Sequence, residues 1–205
     1  MNWHYKLKTD FEDRGFLESL SDPCVFISKE MIILVYVDDC ILISKEALVI
    51  QNFIKSLKSG TEEFVFMEEG TMNSYLGVDI SPFTDKKGFI LFQPLLIDRI
   101  IQGLNFDPKT TKIATNNTPA GYPLLNKDEN GPARKGSWKY RGIIGMLGYF
   151  QVTTIPNIAM KTHQCTIFKN SPHLSHERAV NRISRYLLDT RDKGMIYRPD
   201  ITRGL

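Results

Sequence analysis

The run MIILVYVDDCILIS at residues 31–44 constrains this chain more than any other feature. Two stretches of β-branched and large apolar residues flank an adjacent pair of aspartates. Such stretches suit a pleated, half-buried surface, whereas aspartate is a poor strand former. The run is therefore expected to fold as strand, two-residue acidic turn, strand, with Asp38 and Asp39 at the turn. Its longest apolar segment, MIILVYV, is far too short to span a bilayer. Strand side chains alternate between faces, so Tyr36 and Asp38 are expected on one side. Reversal of the chain can bring Asp39 to the same solvent pocket. Neighbouring carboxylates repel each other, and a bound divalent cation relieves that cost. A few carboxylates with water and substrate phosphate form the usual coordination of Mg²⁺. The alternative is that Asp-Asp supplies polar turn residues and nothing more, as in many hairpins.

The rest of the chain surrounds this hairpin with mixed structure. Trp3, Leu7, Phe11 and Phe16 keep roughly helical spacing, with Gly15 as a stop, and CVFIS at 24–28 reads as a strand joined to 31–37 by Lys29-Glu30. An amphipathic helix is expected over 45–58, with Leu48, Phe53, Ile54 and Leu57 inward and Gly60 at its end. EEFVFMEEG, SYLGVDIS and GFILFQ read as strands, and Pro94 opens a helix over LLIDRIIQGL. Residues 105–137 are rich in Pro, Gly, Asn, Thr and Lys and read as a long linker. Beyond it, WKYRGIIGMLGYFQVTT and SHERAVNRISRYLLDT are expected to be helices. Residues 1–93 thus read as mixed β/α and 94–205 as helical.

Charge divides the chain in the same sense. Residues 1–100 hold ten Lys and Arg against sixteen Asp and Glu, and residues 101–205 hold sixteen against seven. From Arg134 onward there are thirteen basic residues and four acidic ones. A basic half beside an acidic half suits a polyanion held by one part and cations or chemistry in the other, although a cationic helical surface gives the same count. Arg178, Arg182 and Arg185 fall at i, i+4, i+7, opposite Ala179, Ile183 and Tyr186, and form either a polyanion-binding stripe or a solvated face. Three scattered cysteines, Cys24, Cys40 and Cys165, argue against a disulfide framework and for a reducing, intracellular setting. His173 and His176 lack further ligands at zinc spacing, and Ser175 is the expected N-cap of the last helix. Gly142, Gly145 and Gly148 lie near one helix face, which suits close packing. They lack the arrangement of a dinucleotide fingerprint, and no Walker A motif occurs.

LVYVDDCILIS resembles the Tyr-x-Asp-Asp hairpin of reverse transcriptases, in the context of the copia-type retrotransposon branch. NWHYKLKTDFEDRGFLESLSDPCVF resembles the family's stretch leading from the template grip into the strand before the hairpin. YLGVDI and GFILFQPLLIDRIIQGLNF resemble its passage through the primer grip into the thumb. YRGIIGMLGYFQVTTIPNIAM and SPHLSHERAVNRISRYLLDTRDKGMIYRPD are similar to its region between polymerase and ribonuclease H. Residues 105–137 match least.

The resemblance implies an α+β fold: a partial polymerase palm over 1–93, the start of the thumb and a linker over 94–137, and a helical thumb/connection over 138–205. It implies that Asp38 and Asp39 ligate a catalytic pair of Mg²⁺ ions and that Tyr36, Val37 and Gln93 touch the primer–template. Arg178, Arg182 and Arg185 are placed along the nucleic-acid backbone. The implied partners are an RNA/DNA primer–template and deoxynucleotides, with no membrane, and the implied location is a cytoplasmic retrotransposon particle. The family's metal site needs a further aspartate on a strand expected upstream of Trp3, with the fingers, while a ribonuclease H is expected beyond Leu205. On that expectation this chain binds Mg²⁺ weakly and does not polymerise alone. Two departures stand out. Met67-Glu68-Glu69-Gly70 replaces a lysine-bearing stretch, and Thr154-Ile155-Pro156-Asn157 replaces Thr-Arg-Pro-Asp. A non-catalytic nucleic-acid-binding remnant of a transposable element is the alternative.

Overall fold

The structure is a computed structural model that describes residues 3–59, 67–70, 72–85, 87–107, 125–198 and 200. It is a mixed α/β chain with two four-stranded antiparallel sheets and six helices among the described residues. Two compact units, Met1–Glu68 and Glu69–Leu205, divide it. The division thus falls after Glu68, inside the stretch expected to form one palm portion, and not at 93/94 or 137/138.

The first unit is built around four aromatic side chains. α1 (Trp3–Asp13) turns Leu7 and Phe11 inward and ends at Gly15, whose φ of +85° closes the turn without a Cβ penalty. The strands β1 (Leu17–Glu18), β2 (Val25–Ile27), β3 (Met31–Tyr36) and β4 (Asp39–Ser44) follow in spatial order. On β3, Met31, Ile33 and Val35 are buried in strict alternation. They meet Phe11, Phe16, Phe26 and Phe53, the last from α2 (Ala47–Lys58). Phe11 lies edge-on to Phe26 at 5.1 Å between ring centres, and Phe16 edge-on to Phe53 at 5.3 Å. Such pairs add about 0.5–1.5 kcal/mol each beyond their area. The inward face of α2 is Val49, Ile50, Phe53 and Leu57, while Leu48 is exposed, so the helix is rotated from the expected face.

In the second unit, β5 (Ser74–Tyr75) and β6 (Val78–Pro82) form a tight hairpin. Its turn residues, Leu76 and Gly77, both have positive φ, as a type I′ turn requires. β7 (Phe89–Phe92) continues the sheet, and α3 (Pro94–Gly103) starts directly after Gln93 with proline in its first turn. α4 (Tyr140–Thr153) comes next, followed by a single 3-10 turn at Pro156–Ile158. α5 (Ala159–Ile167) and α6 (Leu174–Asp189) complete the helical layer. Ile97, Ile100, Ile144, Leu147, Phe150, Ile158, Ile183 and Leu187 fill the core between them. The C-terminal half is not purely helical: β8 (Met195–Tyr197) pairs antiparallel with β7. That approach depends on glycine. A Cβ on Gly194 would sit 1.9 Å from the Leu91 carbonyl oxygen, and one on Gly88 2.3 Å from that of Tyr197.

Further expectations are corrected by side-chain chemistry. EEFVFMEEG falls partly outside the described residues, and 67–70 form no strand. The N-cap of α6 is His173, not Ser175. The His173 backbone N–H donates to His176 Nδ1 at 2.8 Å, and His176 Nε2 bonds the Asn126 carbonyl at 2.8 Å. Both ring nitrogens of His176 are thereby used in folding. Among the described residues nothing lies within 4 Å of a Cβ on Gly145 or Gly148, so this glycine face is open instead of closely packed against them.

Candidate metal-binding hairpin and nucleic-acid interface

The β3–β4 register runs from Met31 opposite Ser44 to Tyr36 opposite Asp39. The two turn residues are therefore Val37 and Asp38, and Asp39 opens β4: the expected acidic turn is displaced by one residue. Val37 has φ of +53° and Asp38 does not share the positive sign, the pattern of a type II′ turn and not of type I′. A β-branched residue rarely adopts this conformation and is strained there. One interaction steadies the turn: Trp3 Nε1 donates to the Val37 carbonyl at 3.2 Å. The clasp comes from the first residue of α1 and crosses 34 positions, so no local pattern in the sequence announces it.

This register settles which groups face together. Tyr36 and Asp39 form the last cross-strand pair, on the face opposite Ile33 and Val35. Asp38 stands at the tip beside them. Tyr36, Val37, Asp38 and Asp39 are all exposed, and no cationic side chain among the described residues pairs with either aspartate. The adjacent Cys40 lies opposite Val35. Burial, then the Asp39 charge, push its thiol above the ordinary range. Among the described residues no group of three or more His, Cys, Asp or Glu side chains is arranged to hold a metal. The hairpin thus offers two carboxylates, both open to water.

Gln93, expected from the resemblance to touch the primer–template, lies in the interior of the second unit. It is 2% exposed and ties three segments of the second unit together. Its Nε2 donates to the Gly77 carbonyl at 3.2 Å, and its Oε1 lies 2.6 Å from Thr153 Oγ1 and 2.9 Å from Thr154 Oγ1. Tyr149 adds a second link to the same turn, its hydroxyl donating to the Leu76 carbonyl at 2.8 Å. An amide so fully used is a structural joint within the second unit.

On α6, Ala179, Ile183 and Tyr186 are buried, as the helical spacing predicts. Arg178 and Arg185 are exposed, and Arg185 lies 5.9 Å from the centre of the Phe106 ring. Arg182 is half-buried, and its Nε is out of water without a hydrogen-bond partner. A knot at the start of this helix was not legible in the sequence. Glu177 Oε2 accepts the backbone N–H of Lys135 at 3.2 Å and of Gly136 at 2.9 Å, and lies 3.4 Å from Arg134 Nε. Arg134 in turn covers the Trp138 ring at 4.3 Å. The knot fixes the last residues of the expected linker onto α6.

The first unit thus carries an exposed acidic hairpin, and the second a helix with exposed Arg178 and Arg185, within a mixed α/β chain. The chain is 25% identical, over 99% of its length, to the retrovirus-related Pol polyproteins from transposons RE2 and RE1 of Arabidopsis thaliana. It is 29% identical, over 92% of its length, to that from transposon TNT 1-94 of Nicotiana tabacum. It spans only 13–14% of the length of these polyproteins. No family model matches, and no solved structure matches. The likeness runs along nearly the whole chain and supports derivation from a retrotransposon Pol polyprotein.

Proposed function

We propose that this chain is part of a retrotransposon RNA-directed DNA polymerase, with Asp38 and Asp39 as metal-binding carboxylates. The observation that carries the reading is the hairpin register, which leaves both carboxylates in water beside Tyr36 with no cation among the described residues to neutralise them. Hard oxygen donors in that state fit Mg²⁺, which takes one or two carboxylates and completes its shell with water and substrate phosphate. When bound, such ions stabilise the attacking and leaving oxygens of an in-line phosphoryl displacement. The reaction proposed is attack of a primer 3′-hydroxyl on the α-phosphate of a deoxynucleotide, releasing pyrophosphate.

The chain's own residues contribute position and charge. The β3–β4 ribbon holds the carboxylates at a tip clasped by Trp3. Tyr36 and Val37, 54% and 68% exposed, present an aromatic ring and methyl groups to the primer–template beside that tip. Arg178 and Arg185 attract phosphates without reading sequence. A further aspartate comes from another segment of the polymerase.

A second reading, a nucleic-acid-binding remnant with idle aspartates, is favoured by the lack of a third ligand near the hairpin among the described residues. Primer extension separates the two. The chain, joined to an upstream palm and fingers segment from a related polyprotein, is expected to extend a primer only with Mg²⁺. Asp38→Asn should lower the rate at least ~10²-fold, the scale of losing a group that stabilises transition-state charge. Duplex binding without extension by the joined protein would favour the remnant.

A further inference from the structure

We propose that the outer side of β8 is a binding track for single-stranded nucleic acid, in which Phe89 and Tyr197 stack one base and the groove beside Met195 takes its neighbour. The track rests on the nucleic-acid reading above for its partner.

β8 is the last strand of its sheet, and no strand among the described residues pairs with its outer edge. Strand side chains alternate, which puts Met195 and Tyr197 on one face. Their cross-strand partners on β7 are Leu91 and Phe89. The Phe89 and Tyr197 rings are stacked, 5.6 Å between centres and 21° from parallel. Such a pair steadies a sheet, yet this one is not enclosed: Phe89 is 40% exposed and Tyr197 44%. An open aromatic ring accepts any base, because every base has a π-face.

Met195, two residues before Tyr197, lines a groove of about 310 Å³. Ile155, Pro156 and the Tyr186 ring complete its apolar surface, while Asn157 and Lys193 add an amide and an ammonium. The Asn157 amide donates to the Tyr186 hydroxyl and keeps further donor and acceptor capacity for the edge of a base. Apolar walls with a few polar groups are the usual make-up of a small-ligand site, and this volume is at the small end of that class.

Lys193 is exposed, and no carboxylate among the described residues pairs with it. Arg198, just past the other end of β8, lies 3.7 Å from Asp85 with both side chains exposed, a pairing that water largely screens. A cation thus stands at each end of the strand, where a backbone following the edge brings its phosphates. Charges at an edge also discourage strand pairing, so the open rings and the groove carry the assignment. They suit a single strand and not a duplex, whose bases are already stacked on one another.

The full chain, Tyr197→Phe, Tyr197→Val and Lys193→Gln are titrated with an oligothymidylate of about eight nucleotides, within the site sizes of such grooves. A duplex of the same length is the comparison. The wild type and Tyr197→Phe should bind the single strand alike, and more tightly than the duplex. Tyr197→Val keeps a good strand former without a ring, and should bind about 5- to 150-fold more weakly, the cost of one base–aromatic stack. Lys193→Gln should lower the slope of log K against log salt by about 0.7. In the wild type, with no substitution to disturb β8, a strand carrying 5-iodouracil should crosslink under ultraviolet light to Tyr197 or Phe89. Undiminished single-strand affinity in Tyr197→Val, or crosslinks confined to other residues, overturns the track. Primer extension by the joined protein in that event leaves the polymerase reading standing. Single-strand binding that needs the Tyr197 ring, without primer extension, supports the track and removes the polymerase reading.

Discussion

Cys165 and Cys40 show how a single side chain reports on its surroundings. Cys165 is fully buried, and burial pushes its thiol up to about 11 against an ordinary 9.0, with Lys161 and the Tyr140 hydroxyl drawing it partly back. The unfolded chain therefore loses this proton first as pH rises. Stability is expected to be intact below pH 9 and to fall by about 2–3 kcal/mol towards pH 11, at 1.36 kcal/mol for each tenfold change in proton affinity. Tyr140, also raised by burial, acts in the same direction. Urea unfolding at pH 8 and pH 11 checks this, and Cys165→Ala should flatten the dependence. Cys40 carries the opposite sort of information, because the Asp39 charge contributes to its raised value. A cation on Asp39 should lower it again. In a Cys24→Ser background, iodoacetamide should alkylate Cys40 faster at pH 8 with Mg²⁺ present, and Asp39→Asn should remove the Mg²⁺ effect. At this scale the hairpin is legible in the sequence but its turn lies one residue earlier than expected, at Val37 and Asp38, since the register depends on which face of β3 is buried. The burial of Gln93 is not legible in the sequence, because nothing local reveals that Thr153 and Thr154 close over its amide.

Elements were legible wherever their pattern is local. The hairpin, α1, the proline-started α3 and the two long helices α4 and α6 follow from periodicity, turn residues and stops. β8 and α5 did not, for different reasons. Three residues, Met195–Tyr197, carry no periodicity, and only pairing with β7 a hundred positions away makes them a strand. α5 has a mixed buried face of Lys161, Thr162, Gln164 and Cys165, which hides any apolar stripe. The dependence of β8 on glycine gives a test at this scale. Gly194→Ala forces a methyl group against the Leu91 carbonyl, so β8 must leave β7 or both must shift. The expected cost is about 1–3 kcal/mol, the range for overpacking a tight contact. Hydrogen exchange should show lost protection at Leu91 and Ile196 and unchanged protection in β3. Equal protection at all of these would contradict the account of the sheet.

For the whole molecule, the acidic and basic halves seen in the composition correspond to a hairpin in the first unit and an arginine-rich helix in the second. The sequence placed the change of character near residue 93, where the pattern turns from strands to helices. Compactness follows tertiary contact instead, and groups β5, β6 and β7 with the helices that cover them. The account's central claim nevertheless lies at the hairpin, where two water-exposed carboxylates are said to hold a divalent ion. Paramagnetic Mn²⁺, titrated into the isotopically labelled chain at substoichiometric concentration, tests it most directly. The account predicts selective broadening of the backbone amides from Tyr36 to Cys40, reversed by excess Mg²⁺ and abolished in Asp38→Asn/Asp39→Asn. Broadening spread evenly over the acidic surface, or unchanged in that double variant, would contradict it.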